Sequence, residues 1–371
     1  MDKRALIFDI VVIGAGVIGS GIAQFLALNN KNVLLIDRTA AGSAGATAYS
    51  GGIVRAYDPD DALMLLSCLG LPYLQEWDSM GMPGASPFTQ SGTLYIMKDI
   101  PDNNIKIEAA CSVLTDNGQA ARLVTRKEIV NLVPGANMQR NMVGLYEPKG
   151  GYGDPRLHTR NMVHGFIKEG GTLFENCLVE KIYFDNDVWK IETKRGSIIA
   201  DRVVMACGAY LPNLVNGLPI HTQTIPLTQC YASDLNIELP VIDEETENFI
   251  RPIRGGNFYA GSRVVNKHDS PCTVGTFSNE IANDSVARLQ SLFSGKKSIE
   301  VLNGFVGFDC YTDDFRPLLG FTDNKENCFI ASGFSGRGYK FSCAVAKIVS
   351  DSLEGKEKRF LPENIITQWV A

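Results

Sequence analysis

The stretch from Ile7 to Asp37 constrains this chain more than any other part of it. A short apolar, β-branched run, Ile7 to Ile13, ends in Gly14-Ala15-Gly16-Val17-Ile18-Gly19. An alanine- and isoleucine-rich helical stretch follows to about Leu28, and Asn32 to Ile36 reads as a second buried strand. Asp37 stands at the end of that strand, 18 residues beyond Gly19. Strand, glycine turn, helix, strand and acid in this order make a β-α-β unit suited to a dinucleotide. The first glycine permits the tight turn, the second lets a pyrophosphate approach the backbone, and the third lets helix and strand pack closely. The helix start then offers amides and partial positive charge to the phosphates, and Asp37 can accept hydrogen bonds from ribose hydroxyls. An acid there also disfavours a 2′-phosphate. The motif by itself does not separate NAD from FAD.

Ile10 to Leu28 is apolar enough to resemble a signal peptide or membrane anchor, but its glycines fit the phosphate turn and no small-residue cleavage site precedes Asp37. No membrane span is expected. A length of 371 residues suggests two domains, and 45% hydrophobic with 20% charged residues is an ordinary globular composition. The formal charge is −6 without any basic run, so nucleic acid has nothing broad to bind. Nine cysteines, an odd number without a Cys-x-x-Cys pair, suit reduced thiols in a cytoplasmic protein. The four histidines form no metal-ligand pair, so no metal is assigned; His158 and His164 are expected on a helix surface.

Beyond the first unit, residues 40–52 are small and glycine-rich, and helices are expected over Asp60 to Met80, Lys127 to Val133 and Arg156 to Glu169. Strands are expected over Gly92 to Met97, Leu178 to Phe184, Val188 to Thr193 and Asp201 to Ala206. Residues 222–265 are strand-rich without β-α alternation, which suits an antiparallel lobe. The fold class is therefore α/β: a Rossmann-type cofactor domain with a second α+β substrate domain built on an antiparallel sheet. The expected division gives residues 1–80, 150–221 and 305–371 to the first domain and 81–149 and 222–304 to the second.

Four further segments carry a resemblance. They are ATAYSGGIVR (Ala46 to Arg55), DRVVMACGAYL (Asp201 to Leu211), FVGFDCYTDDFRPLLG (Phe305 to Gly320) and CFIASGFSGRGYKFSCAV (Cys328 to Val345). With the amino-terminal fingerprint they resemble, end to end, the D-amino-acid oxidase, glycine oxidase and sarcosine oxidase family of FAD-dependent oxidoreductases. The resemblance implies FAD as cofactor. It implies contacts from Gly14, Gly16, Val17, Ile18 and Gly19, from Asp37 and Arg38, and from Thr47, Ser50, Gly51 and Gly52. Val179, Ala206 and Gly208 would line the second cofactor strand. Gly333, Ser335, Gly336, Arg337, Gly338, Tyr339 and Lys340 would carry the flavin ring, where the glycines allow close approach and the helix start stabilises negative charge.

In the sarcosine oxidases an arginine after the small-residue segment and a lysine in the glycine-rich segment hold the substrate carboxylate, and Arg55 and Lys340 match them. The alternative for Arg55 is a simple ion pair with Asp58. Three positions depart from the family. Asp309-Cys310 stands where glycine oxidases carry a carboxylate-binding Arg-Pro pair, which reverses the charge. Gly307 falls on the cysteine that sarcosine oxidases link to FAD, so non-covalent binding is expected, with Cys310 a buried thiol. Tyr259 falls near the lysine that activates oxygen. Asp313 and Asp314 read as turn residues. The resemblance implies oxidation of a C–N bond in a small-molecule amine or amino acid. The departures also suit a second reading, in which a partner protein is the substrate and its tryptophan side chain is modified during quinone-cofactor biogenesis.

Overall fold

The computed structural model describes residues 5–137, 139–261, 267–268, 270–273, 275–293, 298–322 and 327–356. The expectations that extend over residues 262–265, 323–326 and 357–371 lie outside these, as does the side chain of His268.

Leu6–Ile13 runs parallel between Val33–Ile36 and Gly196–Met205. Thr172–Phe174 extends the sheet parallel to Val33–Ile36, and Cys328–Ser332 adds parallel to the end of Gly196–Met205, with Leu318–Phe321 antiparallel beyond it. The hairpin Val179–Asp185 and Val188–Thr193 covers the other half of Gly196–Met205 and completes eight strands. Every residue of Val33–Ile36 is buried, as in a parallel sheet covered on both faces. The covering helix Val17–Ala27 lies between Pro155–Lys168 and the carboxy-terminal helix Gly338–Leu353, which also supports Asp61–Gln75. At 11 residues Val17–Ala27 is short, and no described helix is long and apolar enough to cross a membrane.

The second sheet has nine strands and is antiparallel except where Val241–Asp243 runs beside Thr93–Lys98. Its longest pairing joins Ile220–Tyr231 to Glu300–Thr312, from Ile220 with Thr312 to Tyr231 with Glu300, with one register shift between Gln229 and Cys230. The sequence boundary at residue 305 falls inside this second strand. Helix Asn279–Leu292 buries Leu289 and Leu292 with Phe258 and Phe293 against the sheet. This helix and Pro101–Asp116 add to the sequence expectations; Pro101–Asp116 buries only Ile107, Ala110 and Leu114, which leaves its apolar stripe narrow. A small third sheet, Ile53–Val54, Gly151–Gly153 and Phe88–Gln90, bridges the two lobes.

The expected helix over Asp60 to Met80 forms as Asp61–Gln75, capped by Asp60, whose side chain accepts from the Leu63 amide at 3.1 Å. Lys127 to Val133 forms as Arg126–Leu132 with a capping box between Thr125 and Glu128. His158 contradicts its surface expectation: it is fully buried, and its ring meets Trp77 at 5.2 Å and Tyr339 at 5.6 Å. The helix has one buried face, which carries His158 with Thr159, Met162 and Phe166, while His164 is exposed as expected; burial lowers the His158 imidazole to about 3, keeping it neutral.

The glycine turn is sterically closed on two sides. Gly14 has φ +105°, and a Cβ there would lie 2.4 Å from the Ala206 carbonyl oxygen. A Cβ on Gly19 would lie 1.8 Å from the Gly14 carbonyl oxygen. Gly19→Ala is therefore expected to cost the cofactor-free protein at least about 2 kcal/mol in urea unfolding, and an unchanged midpoint would contradict this packing account.

Candidate active site

One cavity of about 420 Å³ runs along the carboxyl ends of the parallel strands and under the second sheet, which contributes Ile225, Ile242, Phe249 and Phe308. Ligands of doubly wound folds bind at such strand ends. Nearly all the residues singled out in the sequence line it. The exceptions are Gly19, which is consumed by packing, and Ser335, which sits behind the wall. Tyr259 does not line it either; its ring packs 6.0 Å from Phe305. Strand Asn257–Gly261 carries Tyr259 opposite Gln229 and Arg251, and the Arg251 guanidinium lies 5.6 Å over its ring.

At one end, helix Val17–Ala27 starts at Gly16 with no side-chain cap on Gly16. The Val17 amide donates to Thr47 Oγ1 at 3.0 Å, and a Cβ on Gly16 would meet only that hydroxyl, at 3.1 Å. Asp37 is braced by the turn: Oδ2 accepts from the Ala15 amide at 2.7 Å and Oδ1 from the Thr39 amide at 2.8 Å. Oδ1 also accepts from Thr39 Oγ1 at 3.0 Å, so it is Oδ2 that keeps a further lone pair for a ribose hydroxyl. Arg38 lies 4.2 Å over the Tyr210 ring, beside Gly208. A glycine-lined slot, an uncapped helix start and a fixed carboxylate suit a pyrophosphate with its ribose.

Farther along, the loop 333–338 turns through positive φ at Gly333, Ser335 and Gly336. It is tied to the long strand Glu300–Thr312 by the Ser335 amide on the Cys310 carbonyl at 3.0 Å, and by the Gly336 amide on Asp309 Oδ2 at 2.9 Å. The helix it opens, Gly338–Leu353, has no side-chain cap and no acid in its first turn. Burial raises the Asp309 carboxyl to about 6 against the pull of two amide bonds, and pushes the Cys310 thiol up to about 12.

The basic end contains a pin that the sequence did not reveal. Asp58 is fully buried and accepts from Lys340 Nζ at 3.0 Å, with Arg337 Nε at 3.4 Å. Asp58 thus pairs with these two residues, and not with Arg55. Burial lowers the Lys340 ammonium to about 8, partly countered by Asp58, while Lys340, Arg55 and Arg337 outweigh burial and hold Asp58 at about 2. Arg55 Nη1 donates to the Tyr57 carbonyl, and its guanidinium lies 5.7 Å from the Tyr57 ring and 5.1 Å from that of Tyr95. No carboxylate pairs with Arg55 among the described residues. Buried Glu147 accepts from the Ala56 amide at 2.6 Å and the Tyr57 amide at 2.9 Å, fixing the segment that carries Arg55 and Asp58. No local signal marks Glu147, which arrives by strand pairing from Met142–Glu147.

The family described as DAO, FAD dependent oxidoreductase, matches residues 9–352. The chain belongs to this family. This DAO-family chain is similar to monomeric sarcosine oxidase of Bacillus sp. (strain B-0618), 25% identical over 94% of this chain and 93% of the relative. It is similar also to human mitochondrial dimethylglycine dehydrogenase, 24% identical over 92% of this chain, and spans 42% of that relative's length. Its fold matches L-proline dehydrogenase from P. horikoshii with TM-score 0.84 and 21% identity, covering 96% of each chain. The family is one of FAD-dependent oxidoreductases, and the cavity's chemistry fits that cofactor.

Two outcomes follow from this geometry. Gly16→Val is expected to purify folded but colourless, because the added methyls project into open cavity and not into the packed turn; full flavin absorbance would contradict it. Asp58→Asn is expected to cost about 3 to 5 kcal/mol in chemical unfolding, since it leaves the buried Lys340 ammonium without its counter-ion.

Proposed function

We propose that this protein oxidises the C–N bond of a small amine or amino acid, with the substrate's carboxylate held at Arg55 and Lys340. The observation that carries the reading is Arg55: a guanidinium opening onto the cavity, free of any described carboxylate, beside a buried ammonium. A carboxylate arriving there gains charge-assisted hydrogen bonds in a poorly hydrated site. Asp58 and Glu147 keep both groups in place before substrate arrives, which limits the ordering cost of binding.

Bound FAD supplies the hydride acceptor. The turn Gly14–Gly19 and the start of its helix would hold the pyrophosphate, with Asp37 on the ribose. The loop 333–338, with Gly51 and Gly52 opposite, would receive the ring, and the uncapped start of Gly338–Leu353 would favour negative charge developing there. We propose non-covalent binding, because Gly307 offers no linking atom and the Cys310 thiol is buried with its proton held to about 12. Acid precipitation is then expected to release all the flavin into the supernatant. The nine cysteines are all free, which fits a reducing cytoplasm.

The test is anaerobic titration of the yellow protein with glycine, sarcosine, proline and D-amino acids, following loss of visible flavin absorbance. Bleaching by members of the panel supports the reading, and indifference to every small amine would point instead to a protein substrate. With a reactive amino acid in hand, Arg55→Met is expected to raise the half-saturating concentration at least about tenfold with flavin content unchanged. Binding should also weaken as pH rises past about 8, where Lys340 loses the charge that attracts a carboxylate. Lys340→Met should remove that alkaline limb.

A further inference from the structure

Asp309 is a carboxylate that the carboxylate-binding reading leaves unused. It lines the same cavity, between Phe308 and Cys310 on the long strand Glu300–Thr312. Its orientation is fixed, because Oδ1 accepts from the Cys310 amide at 2.7 Å and Oδ2 from the Gly336 amide at 2.9 Å. Each oxygen retains a lone pair directed elsewhere. The basic residues of the neighbouring segment are all engaged away from it. Arg337 turns to Asp58 and lies over the Phe315 ring, and Lys340 turns to Asp58. No cation pairs with Asp309 among the described residues.

A carboxylate ringed by protein, opening onto a ligand cavity and lacking a counter-ion, is costly until a cation reaches it. Its effect on ligands is selective. It repels a second carboxylate, gives a neutral side chain nothing, and attracts an ammonium or guanidinium. The attracted cation is not the nitrogen that reacts. A carboxylate paired with that nitrogen would hold it protonated, and a protonated amine has no lone pair to drive hydride loss from its carbon.

We propose that Asp309 selects substrates that carry a second, non-reacting positive charge, as in a basic amino acid or a diamine. This rests on the amine-oxidising reading above and narrows its substrate class. The cavity then has two recognition poles: Arg55 with Lys340 for an anionic end, and Asp309 for a cationic one.

The experiment compares substrate pairs of matched shape on the FAD-loaded protein: lysine with norleucine, ornithine with norvaline, putrescine with butylamine, in both enantiomers where they exist. Anaerobic flavin reduction gives a half-saturating concentration for each. The cationic member is expected to saturate at least about tenfold lower than its neutral partner. Asp309→Asn keeps an oxygen acceptor for the Gly336 amide while removing the charge, and should bring each pair within about twofold at unchanged FAD content. Equal wild-type values within the pairs would overturn the proposal, as would a preference that survives Asp309→Asn. Should that variant fail to fold, the wild-type pairs decide the matter alone. Reduction by neutral amines with no cationic advantage sinks only this inference, whereas no reduction by any amine sinks the amine-oxidising reading with it.

Discussion

The buried ion pair between Asp58 and Lys340 joins the two ends of the chain, and the basic end of the cavity depends on it. Asp58 follows the strand Ile53–Val54, and Lys340 belongs to the first turn of Gly338–Leu353, the helix that packs on Val17–Ala27. Two charges taken this far from water are stabilising only while each satisfies the other, so displacement of either segment would expose the remaining charge to a large desolvation penalty. Glu147 secures the same segment from a third direction through the Ala56 and Tyr57 amides. The small-residue loop, the carboxy-terminal helix and a strand of the second sheet are thereby held in one register around the cavity.

That arrangement also sorts the charges. Asp58 neutralises Lys340 and draws Arg337 inward, leaving Arg55 on the cavity wall without an ion-paired carboxylate among the described residues. Asp309 is in the converse position, anchored on backbone amides with no cation paired to it among the described residues. Unpaired groups of both signs in one water-poor space are a stored electrostatic demand, and a ligand of matching charge pattern meets it at little reorganisation cost. Backbone geometry shapes the same space. Gly14 and Gly19 close the turn so tightly that no side chain fits, while Gly16 is open toward the cavity, so adjacent glycines of one motif serve opposite purposes.

Much of this was legible in the chain because the signals are local. The strand, glycine turn and helix, the helices Asp61–Gln75 and Arg126–Leu132, and the hairpin Val179–Asp185 with Val188–Thr193 each depend on neighbours within a few positions. The misreadings share a cause. Asp58 was weighed against Arg55 because they are three residues apart, whereas its partners lie at 337 and 340. Spacing within a helix does not tell which face is covered, and His158 falls on the buried one, against Trp77 and Tyr339. Tyr259 lies outside the cavity lining, against Phe305, a contact between strands that nothing within its own strand signals.

The sequence by itself determined the dinucleotide-type unit, which follows from glycine stereochemistry and from an acid at a fixed distance from a helix start, while the family and its FAD were implied by the resemblance of four further segments. It also supplied Arg55, Lys340 and Asp309 as residues of note. Only the tertiary structure decided which of these charges are satisfied. Pairing a charge inside a protein depends on segments remote in the chain, as Asp58 with Lys340, Glu147 with the Tyr57 amide and Asp309 with the Gly336 amide all demonstrate. The long pairing of Ile220–Tyr231 with Glu300–Thr312 brings Asp309 to the glycine-rich loop, and no periodicity within either strand encodes its partner.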